Sequence, residues 1–371
     1  MRRNRINNSL TSRRKVAKVL SFMAFFSLLV ACSTTSAIPD GEHLYTGMEK
    51  TKYSNYQPNQ HFNDVKGELD VVLATKPNAS WMGSPSVRSP FPVGLWIWNA
   101  FSQDTTSFSR WLVRAFGSTP VLMNSTAPDL HVTVGGNLLR KRGYFNGKIT
   151  YEKLAQRNPK KMRLQYSVDM GRLWLLDSIR YVNFPPTADS LIRANLDKAI
   201  IHKGDAFDVS TLEQERKRIT DLFRNNGYYY YQNNDASYLA DTTLTYGLAS
   251  MRLQMADSVS NRVLRKWDIG TITINLQRQF MDSLSRQSRF RDIIVNYNGS
   301  HKPLRLRTIT NDLKIWPGTV YNNELVEKTQ QQLNSSGVFA ATNFAFTPRD
   351  TTDTCSILDM TINCVFDKPY D

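Results

Sequence analysis

Five histidines, three cysteines and 32 carboxylates are the groups in this 371-residue chain that could do chemistry, and their spacing decides how much. His43, His61, His131, His202 and His301 are scattered. None forms H-E-x-x-H and no C-x-x-C accompanies them, so no zinc site is expected. Gly147-Lys148 lacks the upstream glycine and the following Ser or Thr of a phosphate loop, and neither G-x-G-x-x-G after a strand nor a G-x-S-x-G elbow occurs. No pair of carboxylates stands where sequence position argues for general acid–base work. The expectation is therefore no enzyme, no cofactor and no metal. Cys355 and Cys364 lie nine apart on one alternating run, on opposite faces and roughly 30 Å apart if that run is extended. That is far beyond disulfide reach. Cys32 remains, and its thiol stands where an apolar run ends.

The run is 19–31, VLSFMAFFSLLVA, preceded by a basic segment. Thirteen residues are short for a membrane span and right for the core of a signal peptide. Its end, Leu29-Val30-Ala31-Cys32, resembles the bacterial lipobox, which implies removal of residues 1–31 and a diacylglyceryl group on Cys32. Ser33 follows instead of the aspartate that retains many lipoproteins at the inner membrane. An acylated Cys32 carrying two or more chains would hold the protein stably on a membrane. Residues 1–31 hold seven Lys or Arg and no acid, so the net charge of +15 becomes +8 for the remainder. That balance suits a mildly basic soluble surface, although it permits anionic lipid headgroups. Basic runs such as Arg140-Lys141-Arg142 read as solvated helix ends, and no nucleic acid is expected behind an export signal.

The elements that would position any functional residue are clearest in 204–231, GDAFDVSTLEQERKRITDLFRNNGYYYY. Ser210-x-x-Glu213 forms a capping box, and Leu212, Ile219, Leu222 and Phe223 share one helical face. Gly227 supplies a left-handed stop, and 228–231 favours an extended strand. The same order returns in 318–346, from Gly318 through Tyr321 and Asn322 to the stop Gly337 and Phe339. A third copy ends at Gly143-Tyr144-Phe145. The stop glycines Gly143, Gly227 and Gly337 lie 84 and 110 residues apart, a domain-sized spacing. Gly204 and Gly318 mark the turn before the helix in the last two copies, and the third Gly-to-Gly segment is shorter, 19 against 23 residues.

Around these stretches the pattern gives a strand in 44–53, a helix in 107–115, a helix reaching Gly143 despite Gly135-Gly136, and a hairpin of 147–152 with 162–169. Further strands are expected in 174–182, 246–255, 267–276, 341–346 and 356–366, with helices in 188–200 and 309–316. Residues 277–305 read as an insertion, helical at first and strand-like at 293–297. In 54–127, Trp81, Phe91, Trp96, Trp98, Phe101, Trp111 and Phe116 fit the core of an elaborated first domain better than a membrane surface beside the anchor.

Each unit reads strand, helix, helix, strand, strand, an α+β module with a small three-stranded sheet and two helices on one face. The glycine-x-x-aromatic turn, the helix ending in glycine-aromatic and the strand–glycine–strand junctions resemble polypeptide-transport-associated (POTRA) domains. LNSSGVFAATNFAF resembles the barrel-adjacent POTRA of the outer-membrane assembly superfamily that includes the Bam and Tam barrel subunits. Three copies behind a lipobox resemble its lipidated Tam-like branch. The resulting division is a signal peptide in 1–31, an elaborated POTRA-like domain in 32–170, a second in 171–258, and a third with an insertion in 259–371. The resemblance implies a periplasm-facing arm at the outer membrane, unfolded outer-membrane clients, an inner-membrane-anchored Tam-type partner and a β-barrel. These 371 residues hold no series of ten-residue alternating segments, so barrel insertion is not assigned to them. The expected binding mode is strand addition at open sheet edges. The candidate edges follow the stop glycines: Lys148 and Tyr151; Tyr228, Tyr230 and Gln232; Thr342 and Phe344. Their aromatics could instead only seal each module's core. The rival function is an envelope-tethering lipoprotein that handles no clients.

Overall fold

The computed structural model describes residues 34–368 except 281, 302, 351 and 353, so Cys32 and the run before it lie outside the described residues. Two compact units divide between Trp174 and Leu175.

In the first unit the expected strand over 44–53 is interrupted. β1 (Leu44–Met48) and β2 (Lys52–Ser54) run parallel to successive halves of β4 (Lys161–Asp169), and β3 (Lys148–Ala155) pairs with β4 antiparallel on the other side. Two helices, α1 (Gln60–Val72) and α4 (Pro128–Lys141), bring Phe62, Val65, Leu69 and Leu139 against Ile149, Leu164, Tyr166 and Val168. Glycine inside a helix costs about 1 kcal/mol, yet Gly135 has a packing reason. A Cβ there would sit 2.6 Å from Ile149 Cδ1. Between α1 and α4, residues 74–127 form a helical hairpin of α2 (Val93–Phe101) and α3 (Ser107–Phe116). Trp96, Trp98 and Phe101 are half-buried, but the other four of the seven expected core aromatics are not. Trp81, Phe91, Trp111 and Phe116 are each more than half exposed, which overturns the expectation of burial.

The second unit contains two sheets. β5 (Leu175–Val182), α5 (Pro186–Arg193), α6 (Val209–Arg224), β6 (Ala236–Asp241) and β7 (Leu248–Met255) give the strand order β5-β7-β6. β8 (Asp268–Gln277), β9 (Arg286–Phe290), β10 (Ile293–Tyr297), α7 (Leu306–Asp312), α8 (Asn323–Ser335), β11 (Phe339–Pro348) and β12 (Ile357–Phe366) give β11-β12-β8-β10-β9. Without β9 and β10 all three sheets have one plan: the last strand is central, parallel to the first and antiparallel to the one before it. The protein is thus α+β, three β-α-α-β-β modules with the first elaborated.

The insertion does not begin as a helix. It folds back as the hairpin β9–β10, with β10 parallel to β8. A row of side-chain amides pins its register: Asn275 Nδ2 donates to Asn363 Oδ1 (2.7 Å) and Asn296 Nδ2 to Asn275 Oδ1 (2.8 Å). Asn343 and Gln287 extend the row to the outermost strands. A one-residue slip of β10 would turn Asn296 toward the core and break its bond to Asn275. Cys364 is buried and Cys355 half-buried, and both are free thiols. Burial pushes the Cys364 thiol up to about 12.

α6 is capped differently from the expected box. Asp208 is the N-cap and its carboxylate accepts the Ser210 amide at 2.8 Å, where a negative charge also suits the helix dipole. Glu213 instead pairs with Arg216 (2.5 Å).

Candidate polypeptide-binding edges

An open edge strand carries unpaired backbone groups only where one of its two sides lacks a neighbour. Among the described residues that holds for β1, β2 and β3, for β5 and β6, and for β11 and β9. Lys148 and Tyr151 lie on β3. Lys148 is exposed, while Tyr151 faces the helices and its hydroxyl donates to Asp129 Oδ1 of α4 at 3.0 Å. Lys148, Glu152 and Lys153 place three charges along this edge, a pattern that discourages indiscriminate pairing.

On β11 the side chains of Thr342, Phe344 and Phe346 are half-buried, and Asn343, Ala345 and Thr347 between them are exposed. Thr342 is partly used: its hydroxyl donates to Asn334 Oδ1 (2.7 Å) and its carbonyl accepts from Gln330 Nε2 (3.2 Å) of α8. The exposed side chains from Asn343 onward, Asn343, Ala345 and Thr347, are small.

The third candidate edge is not an edge. Gly227 has φ +102° and the Tyr228 amide donates to Phe223 O at 3.1 Å, which closes α6. Gly143 does the same for α4, with φ +84° and Tyr144 N to Leu139 O at 2.8 Å. After Gly227 the chain stays turned: Tyr229 N donates to Gly227 O, Tyr231 N to Tyr228 O, and Gln232 N to Asp235 Oδ2. Tyr228 and Tyr231 point into their own module, with ring centroids 5.3 and 4.7 Å from Phe223. Tyr229 and Tyr230 point the other way, onto the third module: Tyr229 lies 5.0 Å from Tyr321 and 5.4 Å from Phe346, and Tyr230 lies 5.2 Å from Trp267. Tyr228 is therefore a core residue, Tyr230 a junction residue and Gln232 the exposed cap of a short helical turn. Strand propensity loses here because aromatic surface gains more from packing on both sides than from lying half-exposed in a ladder.

Polar bonds close the same junction. Trp267 N donates to Gly227 O and Tyr321 N to Trp267 O, both at 2.8 Å. Asn225 and Asn322 clasp reciprocally: Asn322 Nδ2 donates to Asn225 O (2.8 Å), and Asn225 Oδ1 accepts the Glu324 amide (2.9 Å) at the start of α8. The turn glycines repeat as well. Gly204 (φ +92°) donates to Leu176 O and Gly318 (φ +80°) to Ile269 O, both at 2.7 Å, and each delivers a buried aromatic, Phe207 or Tyr321. Gly337 is also left-handed, at φ +69°.

The edge that sequence reasoning missed is β6, five residues beyond the tyrosines. Gln232 and Asp235 bond each other's backbone in a capping box over a short helical turn, and Ala236 then starts the strand. Leu239 stands exposed on it. The signal that could have located it is Gln232-Asn233-Asn234-Asp235, a turn-forming run in front of a short β-compatible one. Among the described residues no three His, Cys, Asp or Glu side chains gather where a metal could bind.

No protein-family model and no curated protein matches the chain. Among solved structures it is similar to POTRA domains 3–5 of BamA from Haemophilus influenzae, at 12% identity and a TM-score of 0.38 over 89% of this chain and 99% of that one. It is also similar to POTRA domains 1–3 of the periplasmic domain of Omp85 from Anabaena, at 13% identity and 0.26, over 89% and 98%. The N-terminal domain of Omp85 from Thermosynechococcus elongatus gives 12% and 0.25, over 88% and 98%.

Proposed function

We propose that this chain is the periplasm-facing POTRA arm of an outer-membrane protein assembly factor, held at the membrane by lipid on Cys32, and that it binds extended polypeptide by strand addition at β11 and β3. The observation that carries this reading is that both strands pair on one side only among the described residues. Main-chain pairing supplies affinity without demanding one sequence, which suits unfolded outer-membrane clients. The same edges suit an inner-membrane-anchored partner of the Tam type, and a β-barrel belongs to the complete assembly in this reading.

Alternating geometry makes the test specific. Along an antiparallel edge strand consecutive N–H groups point in turn toward the neighbour and away from it. Proline placed one position at a time over 341–346 is expected to split by parity. One set loses ladder bonds to β12 and destabilises the module. The other set keeps the fold and weakens binding of an unfolded barrel-protein segment, measured by fluorescence anisotropy, by roughly tenfold for about 1.4 kcal/mol. Binding unchanged at every folded variant would favour the tethering lipoprotein.

A further inference from the structure

α3 turns its apolar stripe outward. Phe108, Trp111 and Ala115 recur at helical spacing and share one face. Phe108 and Trp111 are 65% and 56% exposed, whereas the only fully buried residue of the helix is Ser109. A helix on an ordinary globular surface does the reverse. Phe116 extends the patch, with Trp111 6.0 Å from both the Phe108 and Phe116 rings. Arg110 and Arg114, four apart, flank it and are exposed. Residues 74–127 hold four of the seven tryptophans, and their Lys76, Arg88, Arg110 and Arg114 face a single acid, Asp104. That acid is occupied inside the hairpin, accepting from Ser109 Oγ (2.6 Å) and the Thr106 amide (3.1 Å).

The posture is built into the packing. Ser118 N donates to Gly94 O at 2.9 Å, and a Cβ on Gly94 would sit 2.9 Å from Ser118 Cβ, so the end of α3 is seated directly on α2. The N-terminal segment is pinned to the same hairpin. Ala37 N donates to Asn99 Oδ1 (2.9 Å), and Ile38 is buried with Leu44 and Leu95. Thr34 and Thr35 line a cleft of about 510 Å³ with Arg88, Phe91 and Trp96. Cys32 is two residues before Thr34, at most about 7 Å of chain.

We propose that the α2–α3 hairpin is a membrane-interface element. Phe108, Trp111 and Phe116 enter the headgroup–acyl boundary of a phospholipid surface, and Arg110 and Arg114 meet its anionic headgroups. Aromatic rings with a cationic flank are the composition that such a boundary selects. The lipid on Cys32 belongs to the proposed function; the aromatic face stands without it.

The test uses the mature chain with Cys32→Ser, which carries no acyl group, floated with vesicles of phosphatidylcholine mixed with phosphatidylglycerol. The chain is expected to float. The triple variant Phe108→Ser, Trp111→Ser, Phe116→Ser should lose at least about tenfold in partition coefficient, with circular dichroism and melting unchanged because these side chains are already exposed. Arg110→Glu with Arg114→Glu should lose binding to the mixed vesicles and not to pure phosphatidylcholine. Flotation of the parent no better than the triple variant overturns the proposal. So does a parent that forms dimers which the triple variant dissolves while neither binds vesicles, since a second copy would then cover the patch. Fatty-acid labelling of the unmodified chain reports on Cys32 separately: label without vesicle binding leaves the anchor and sinks the aromatic face, and the converse leaves the face.

Discussion

Gly227→Val is expected to cost about 3 kcal/mol and to uncouple the second and third modules, from two additive causes. A β-branched residue at φ +102° is strained by about 1–2 kcal/mol. Its Cβ would also stand 2.8 Å from Val320 Cγ1 and 3.1 Å from Lys266 Cβ, an overpacking worth about 1–3 kcal/mol. The displaced backbone carries Gly227 O, the acceptor for Trp267 N. Chemical denaturation followed by far-ultraviolet circular dichroism should therefore split one transition of the second unit into two. Gly337→Ala is the control. Its φ is +69° but no atom lies within 4 Å of the new Cβ, so it should cost only about 1 kcal/mol and keep the transition single.

Glu215→Leu is expected to cost about 3 kcal/mol, measured as the shift of the denaturation midpoint. Glu215 is fully buried on α6. Its carboxylate accepts from Arg218 (both bonds 2.7 Å), from Tyr181 Oη (2.8 Å) and from the Ile200 amide (2.9 Å). Removing it leaves three donors, one of them a largely buried guanidinium, without their acceptor. Burial alone would raise the Glu215 pKa, but the Arg218, Ile200 and Tyr181 donors outweigh it and hold the carboxyl below its ordinary value. The sign is set by the depressed folded value. The stabilisation is fully present above the unfolded pKa of about 4.3 and drains away as pH falls through the folded one. Acid unfolding of the second unit should therefore steepen below about pH 4 in the parent and flatten in Glu215→Gln.

The parts of this fold that could be read from the residues are those set by local requirements. Gly143, Gly204, Gly227, Gly318 and Gly337 all have positive φ, and a left-handed residue that must end a helix or tighten a turn admits few alternatives to glycine. The central strands β4, β7 and β12 alternate cleanly because one face is covered by helices and the other is not. The features that could not be read were set by tertiary partners. Four consecutive tyrosines are compatible with a strand, and only the presence of Trp267, Tyr321 and Phe346 on the far side makes them a junction. β9, with Arg286 and Arg289, has no apolar alternation and is recruited by the edge of β10. The aromatics of 74–127 looked like core because composition says nothing of which way a helix faces. Of the three candidate edges, β3 and β11 lie where the stop glycines suggested, and the middle one moved to β6.

In the proposed function β11 and β3 receive polypeptide while the tyrosine run does not. Site-specific photo-crosslinking in the envelope separates the two, with the photoreactive residue placed at Asn343, Ala345 or Lys148 and, in parallel, at Tyr230. Adducts with unfolded outer-membrane proteins or an extended partner are expected from the strand positions. None is expected from Tyr230, whose ring packs on Trp267. Adducts from Tyr230 with silence at Asn343, Ala345 and Lys148 would contradict strand addition at these edges.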